Sequence, residues 1–469
     1  DDIASFFANY QTDTPPKTLS GNFLAGQFAQ DHSDWDQASV YFSNILDDTP
    51  TETDIQRRVM ALNMGAGHYG KAIEIAQRLV KENKGDTTLA HLITALSYFK
   101  AAKYRESIQE IEGYKNDALG AAILPLFVSW AEAGQGKVDI TNLKNSPSLT
   151  YQAVLVAGYT KDKATLSSLA KTYDFTKTPT PIDRLDDIAA IFAVNGETDK
   201  AITIYKALAT GIPEQSNYFN QRITHVTDGT LKMDGAINTP QVAMSDALLD
   251  MARILSNGYE DSARLFAHMS LYLNSTNASS LELLAQIAAD NHLYAESIDY
   301  LTRIDTQNDP EKKVQIARSI AQMQVAAGQI NEAIRILDTL SQTDKKIDAK
   351  IQIGDIYRNQ DNFKMALDAY NAAYDMLDNK ITAQYWELSF ARGMTNERLK
   401  NWNQAEKDLN IALSLQPDQP YILNYLGYSW ADQGVHLDKA AEMIERAAVA
   451  VSLVIALQPV AQGFKRDVL

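Results

Sequence analysis

A small residue followed by an alanine twelve positions later recurs along almost the whole of this 469-residue chain. This pair of small residues repeats about every 30 to 40 residues, and bulky apolar residues follow each pair. A period of this length predicts stacked helical hairpins rather than the core of a globular enzyme. The pairs are Gly26 and Ala38, Ala189 and Ala201, Ala321 and Ala333, Gly354 and Ala366, and Gly393 and Ala405.

The small residues have a steric role where two antiparallel helices of a hairpin cross. A large side chain at Gly354 or Ala366 would push the two backbones apart at their closest approach. Tyr357 and Tyr370 are then expected to fill the space beside this crossing. The pattern therefore predicts an all-α fold.

These residues resemble the signature of the tetratricopeptide repeat family, in which aromatic, small, Tyr, Ala and Pro positions recur over a repeat of about 34 residues. The resemblance implies a right-handed α-solenoid of about twelve helix hairpins. It covers most of the chain and is weakest between Ala118 and Tyr173. The predicted hairpins begin near Leu19, Thr53, Thr88, Ala118, Pro147, Ile182, Met244, Ala278, Val314, Ile347, Trp386 and Pro420.

Breaks in the repeat register predict the organisation of the chain. Residues 1–18 are a short lead-in, and a first block of repeats covers 19–213. Residues 214–240 have no clean period and are expected to form an insertion or hinge, with a short helix around Tyr218–His225. A second block covers 241–446.

An apolar tail, residues 447–469, follows the second block and departs from the repeat pattern. Its first eleven residues are apolar or small except for Ser452. We expect this segment to be buried, most simply as a cap on the twelfth hairpin, unless the native array continues beyond it.

The composition of the chain argues against several classes of binding partner and of catalytic or metal-binding chemistry. The net charge of −16 argues against nucleic acid and anionic membranes as partners. The chain has no cysteine, so disulfides, thiol catalysis and cysteine-based zinc sites are excluded. No run of about 20 apolar residues that could span a bilayer occurs. Since the chain begins at Asp1 rather than at Met, we expect a signal segment to have been removed before it.

No motif predicts catalysis, a metal site or a cofactor. The run from Gly65 to Gly70 spells G-x-G-x-x-G, but it follows a helical pattern rather than a strand, so a tight turn between helices is the better interpretation. The seven histidines form no ligand pair and are interpreted as turn or surface residues. We therefore predict a protein without enzymatic activity.

The resemblance also indicates which residues line the inner, concave face of the hairpins. Aromatic and Arg side chains on such a face are common anchors for a protein or peptide partner, although the same residues could simply line a solvated channel. The predicted partner-binding residues are Asp355, Arg358, Phe390, Met394, Arg398, Tyr421, Asn424 and Tyr428.

The run 415–434 is similar to large proteobacterial repeat proteins of the cell envelope. This resemblance implies a scaffold or adaptor in the periplasm or envelope that binds protein partners, and more specifically one that presents substrates to a carboxy-terminal processing protease. The alternative is a regulatory or substrate-binding segment of an enzyme complex whose catalytic part lies elsewhere, and the alternative location is the cytoplasm.

Overall fold

A computed structural model describes residues 18–114, 118–233, 237–343 and 346–449. These residues form α-helices, short 3₁₀ turns and loops, and they contain no β-strand. The chain divides into two compact units, Asp1–Asp305 and Thr306–Leu469. The predicted all-α fold is confirmed.

The first unit consists of consecutive helices that pack as antiparallel neighbours. Its helices are α1 Leu19–Asp31, α2 Trp35–Asp48, α3 Thr53–Gly65, α4 Tyr69–Glu82, α5 Thr88–Lys100, α6 Tyr104–Glu112, α7 Ala118–Gly134, α8 Thr141–Lys144, α9 Thr150–Tyr159, α10 Lys163–Thr172, α11 Ile182–Val194, α12 Thr198–Gly211, α13 Ser216–Thr227, α14 Pro240–Leu255, α15 Glu260–Leu273, α16 Ala278–Asp290 and α17 Tyr294–Thr302.

The second unit continues the same arrangement. Its helices are α18 Pro310–Ala326, α19 Ile330–Thr343, α20 Ile347–Asn359, α21 Phe363–Met376, α22 Trp386–Arg398, α23 Trp402–Leu415, α24 Pro420–Asp432 and α25, which covers residues 437–449 of the described chain.

The first helices of most hairpins begin at the predicted residues, which confirms the period taken from the sequence. The seventh and ninth begin one turn earlier than predicted, at Pro240 and Pro310. Both helices begin with a proline. At the first helical position the missing N–H removes no hydrogen bond of the helix. The fifth opens with a 3₁₀ turn at Pro147 before α9 starts. Among the helices of the described residues, only α13 is not part of a helix hairpin. It covers the short helix predicted around Tyr218–His225.

The steric role of the small residues is visible at the crossing of α20 and α21. A Cβ added to Gly354 would lie 2.4 Å from Cε1 of Tyr370, closer than real contacts allow. Ala366 and Tyr370 are both fully buried, and Tyr357 packs beside them. The crossing is thus close because one partner has no side chain and the other supplies a ring that fills the space.

The predicted hinge, residues 214–240, lies inside the first unit, because the division of the chain falls after Asp305. The helices on its far side, α14 to α17, belong to that unit as well. Residues 1–17 of the predicted lead-in 1–18, and residues 450–469 of the apolar tail, lie outside the described residues. At the start of the tail, Ala447 is buried and the last helix continues through it to residue 449 without a break at Arg446.

We expect Ala366→Leu to lower the free energy of unfolding by about 1–3 kcal/mol, because added methylenes at a filled crossing force the helices apart. Urea unfolding followed by circular dichroism measures this loss. Met365→Leu, at an exposed neighbouring position, is the control and should change stability by less than about 0.5 kcal/mol. Equal stability of both variants would contradict the steric account.

Candidate functional site

In the first unit, the seventh hairpin lies against the first helices of earlier hairpins. Helix α15 packs on α3 and α5, and α14 packs on α7. First helices are the ones expected to face inward in this kind of array. The first helices of the second, third and fourth hairpins are therefore covered by a hairpin of the same chain, and a cavity of about 230 Å³ lies between α9, α11 and α13.

Buried polar contacts fix α15 in this position. Arg264 is almost completely buried and donates from Nε to the carbonyl of Gly65 at 2.7 Å. Another of its nitrogens pairs with Glu296, and its guanidinium lies 5.6 Å from the ring of Trp35. The G-x-G-x-x-G run forms the turn between α3 and α4, as predicted, and the carbonyl that opens it is bound by this arginine.

Two histidines depart from the prediction that all seven are turn or surface residues. His91 lies within α5 with 13% of its side chain exposed and pairs with Glu110. His268 lies within α15 and is buried, with its ring nitrogens 3.0 Å from the hydroxyls of Tyr69 and Tyr300. Burial and the nearby charge of Arg264 hold the pKa of His268 well below its ordinary value. No spacing in the sequence indicates this burial, because Tyr69 and Tyr300 lie 199 and 32 residues away from His268 along the chain.

A buried ion pair fixes α14 in the same way. Arg184 of α11 donates from Nε to Oδ2 of Asp250 at 3.0 Å and from Nη2 to Oδ1 at 3.3 Å. The hydroxyl of Tyr151 on α9 donates to the same carboxylate at 2.8 Å, and burial followed by the charge of Asp250 raises the pKa of Tyr151. Three helices of the first unit, α9, α11 and α14, thus meet at one carboxylate.

The second unit has an inner face with two cavities. The larger, about 550 Å³, lies between α18 and α20. Its charged groups are balanced by neighbours: Lys346 pairs with Glu311 at 2.7 Å, and Arg318 lies 3.7 Å from Asp348. Uncharged polar groups provide much of the remaining lining: Gln315, Ser319, Gln322, Gln352 and Asn359.

The smaller cavity, about 280 Å³, lies between α20 and α22 and shares Asn359 with the larger one. On its α20 side, Arg358 donates to the hydroxyl of Tyr370 at 3.2 Å and pairs with Asp355 at 3.4 Å. The hydroxyl of Tyr370 donates to Asp355 at 2.7 Å, and burial followed by this carboxylate raises the pKa of Tyr370. These contacts hold Asp355 and Arg358 in fixed positions at the junction of the two cavities.

On the other side of the smaller cavity, Arg398 is an exposed cation at the end of α22. In the described part of the chain, no carboxylate lies within ion-pair distance of it, and its guanidinium is 5.9 Å from the ring of Phe363. Tyr425 closes the cavity and donates its hydroxyl to Glu397 at 3.0 Å. The cavity therefore combines aromatic surface with a cation whose charge is available to a partner.

The structure brings four of the eight predicted residues together. Arg358, Met394 and Arg398 line the smaller cavity, and Asp355 lines the larger one beside them. The other four, Phe390, Tyr421, Asn424 and Tyr428, line neither cavity.

Phe390 is half-buried and packs against Tyr425, with ring centroids 5.8 Å apart. Tyr421, Asn424 and Tyr428 are exposed side chains of α24. Phe390 is thus a packing residue in the described structure, whereas the other three lie at the surface beyond the cavities.

Most residues that line the cavities were missed. None of the α18 side chains in the larger cavity was predicted, nor was Gln352 of α20, and Tyr425 of α24 was missed in the smaller cavity. For α20 the signal was present, because Asp348, Gln352, Asp355 and Asn359 recur at spacings of four, three and four and form one polar stripe.

Within the described ranges, no cluster of three His, Cys, Asp or Glu side chains could hold a metal ion. A search of the same ranges finds no helix with the length and apolar character needed to cross a membrane.

Comparisons with known proteins agree with the sequence resemblance. No family model matches the chain. A protein of Pseudomonas aeruginosa described as TPR (tetratricopeptide) repeat-containing protein PA4667 is 26% identical over 168 residues, which cover 35% of this chain and 27% of that protein. The match thus spans about a quarter of the length of the relative. The predicted resemblance to tetratricopeptide repeat proteins is confirmed.

Two solved structures show limited similarity. Yeast Tom70 is 13% identical, with 96% of each chain covered and a TM-score of 0.39. YrrB, described as a TPR protein with an unusual peptide-binding site, is 19% identical, with 38% of this chain and 88% of that chain covered and a TM-score of 0.27. At these scores neither superposition carries a conclusion about activity.

We expect Asp250→Ala to lower the free energy of unfolding by about 3–5 kcal/mol, because it removes a buried carboxylate and leaves Arg184 with fewer partners. Asp183→Ala is a matched control that removes the same charge from an exposed pair with Arg253, and it should cost less than about 1 kcal/mol. Chemical unfolding measures both. A cost of similar size for the two variants would show that the buried pair does not hold α14 in place.

The buried His268 predicts a pH dependence of stability. Because its folded pKa is depressed, the unfolded chain takes up a proton below pH about 6.5 that the folded chain does not, so stability falls as pH falls. The loss contributed by this residue is up to about 1.4 kcal/mol per pH unit. His268→Asn should flatten the decline in unfolding free energy between pH 6.5 and 5. The exposed control His292→Asn should leave it unchanged, and equal slopes for both variants would exclude this role for His268.

Proposed function

We propose that this chain is a non-enzymatic scaffold that binds a protein or peptide partner along the inner face of its second unit. The observation that carries the proposal is the contrast between the two inner faces. In the first unit, α14 and α15 cover α3, α5 and α7, and one cavity of about 230 Å³ lies between α9, α11 and α13, whereas the second unit holds two adjoining cavities of about 550 and 280 Å³. The second unit therefore offers the larger inner surface to a partner.

The chemistry of the two cavities suits an extended polypeptide. Amide side chains in the larger cavity can each donate and accept hydrogen bonds, as backbone N–H and C=O groups require. In the smaller cavity, Arg398 offers an unpaired charge beside Phe363 and Tyr425. An acidic residue next to an aromatic or aliphatic one in the partner would match this end of the groove.

The proposal includes a location in the bacterial cell envelope and presentation of substrates to a carboxy-terminal processing protease. Its support is the sequence similarity of residues 415–434 to envelope repeat proteins. Fractionation of the native cell tests the location. Co-purification with the protease, and a comparison of substrate cleavage with and without this protein, test the presentation of substrates. Recovery in the cytoplasm alone, with unchanged cleavage, would reject them while leaving the groove proposal in place.

We expect Arg398→Ala to weaken partner binding by about tenfold, a loss of about 1.4 kcal/mol, with an unchanged melting temperature, because its exposed guanidinium contributes little to packing. The matched control is Arg335→Ala, which removes the same charge from an exposed position on α19 that lines neither cavity. Each protein captured from an envelope extract is quantified by mass spectrometry for wild type and both variants. Partners that are lost equally with both variants, or with neither, would place the binding site elsewhere.

Tyr428→Ala tests whether the contact surface extends along α24. The side chain is 57% exposed, so its removal should leave the fold intact, and reduced recovery of the same partners would extend the site beyond the cavities. Phe390→Ala is a poorer probe, because it removes a ring that packs on Tyr425 and should lower the melting temperature as well.

A further inference from the structure

The chain contains two asparagines that are followed by glycine, Asn195 before Gly196 and Asn257 before Gly258. The first pair lies in the turn between α11 and α12, and the second in the turn between α14 and α15. An asparagine side chain reacts most readily with the backbone nitrogen of a following glycine, because glycine has no Cβ to obstruct the approach. The fold around each pair then decides whether the reaction proceeds.

The two glycines are equivalent in conformation and in the space around them. Gly196 has a φ of +96° and Gly258 a φ of +110°, both in the left-handed region that glycine adopts without strain. A Cβ added at either position would meet no neighbouring atom within 4 Å. Neither backbone conformation nor crowding at the glycine therefore distinguishes the two pairs.

Hydrogen bonds hold both reacting groups of the first pair. Nδ2 of Asn195 donates to the carbonyl of Ile191 at 2.8 Å. The N–H of Gly196 donates to the carbonyl of Ala193 at 3.2 Å. The side-chain amide and the glycine nitrogen must give up these two bonds before they can meet, which raises the barrier to their reaction.

The second pair is held by no such bonds. Within the described part of the chain, neither the side-chain amide of Asn257 nor the N–H of Gly258 makes a hydrogen bond. Both residues are exposed. The nearby Ile254 and Tyr259 are 71% and 69% exposed, so the side chains beside the pair also lie at the surface. The reacting groups of this pair are free to meet, and water reaches them.

We propose that Asn257 is a site of spontaneous deamidation, which leaves isoaspartate or aspartate in the turn between α14 and α15. The backbone nitrogen of Gly258 attacks Cγ of Asn257, and the bond from Cγ to Nδ2 breaks. The proton of the attacking N–H passes through water to the departing nitrogen, which leaves as ammonia. Water then opens the cyclic succinimide at either carbonyl. One opening gives aspartate, and the other gives isoaspartate, in which the backbone runs through the former side chain.

The modification changes charge and backbone length in an exposed turn. A carboxylate replaces a neutral amide just beyond the C-terminus of α14, and isoaspartate also lengthens the backbone. Asp250 and Arg264, whose buried contacts hold this hairpin on earlier helices, lie seven residues before and seven residues after Asn257. About two helical turns separate each of them from the modified residue, so we expect the hairpin to keep its buried contacts.

Both sites can be followed in one sample of the full chain, because trypsin places them in different peptides, which end at Lys200 and Arg264. Mass spectrometry measures the loss of each amide during incubation in mildly alkaline buffer. We expect Asn257 to lose its amide at least about tenfold faster than Asn195, a difference in barrier of about 1.4 kcal/mol. Transfer of a labelled methyl group by an isoaspartyl carboxyl methyltransferase identifies the isoaspartate.

The same chain unfolded in guanidinium chloride is the matched control. With the hydrogen bonds of Asn195 lost, the two asparagines should lose their amides at similar rates. Equal rates in the folded chain, or no loss at Asn257, would overturn the proposal. A ratio that is the same in the folded and unfolded chain would assign the difference to the residues that precede each pair, and would also overturn it.

A pair of variants assigns the isoaspartate to its position. Asn257→Gln keeps an amide in the exposed turn, but its longer side chain forms a ring with the next nitrogen far more slowly. This variant should lose most of the methyl acceptance of the aged protein, whereas the control, Asn195→Gln, should retain it. Far-UV circular dichroism verifies that both variants are folded. Undiminished methyl acceptance in folded Asn257→Gln would place the isoaspartate elsewhere and contradict the proposal.

Discussion

The close crossing of two helices within each hairpin is the constraint on which the rest of this structure depends. At Gly354 an added Cβ would lie 2.4 Å from the ring of Tyr370, and Ala366 on the facing helix is fully buried. A crossing this tight sets the angle and separation of the pair, and the pair in turn presents one helix to the inner face of the array. The positions of Asp355 and Arg358 at the junction of the two cavities follow from that arrangement.

The sequence predicted what short-range periodicity controls. The starts of α1, α3, α5 and most later first helices follow from the small-residue spacing, since each hairpin packs on its neighbours by the same rule. The lining of the cavities was predicted only in part: Asp355, Arg358, Met394 and Arg398 line them as expected, whereas Gln352, Tyr425 and all of the α18 side chains were missed. Which side chains line a cavity depends on how neighbouring helices pack, and the local pattern does not specify this.

Contacts between distant hairpins could not be predicted at all. The burial of His268 and the pairing of Arg184 with Asp250 arise because α14 and α15 lie on the first helices of earlier hairpins. Nothing in the repeat signature distinguishes this hairpin from the others. Its buried polar side chains form hydrogen bonds with one another only once the distant hairpins have packed together. The spacing of residues in the sequence therefore does not identify these partners.

The same hairpin changes how the first unit can be expected to fold. Contacts such as Arg264 with Gly65 and His268 with Tyr69 join residues 199 positions apart. An open array of hairpins can grow from any point because each repeat needs only its neighbours. Here the carbonyl of Gly65 has no hydrogen bond from Arg264 until the ribosome has added that residue, 199 positions later in the chain. Folding of this unit should therefore be slower and more cooperative than that of an open array of equal length, with completion tied to the arrival of α15.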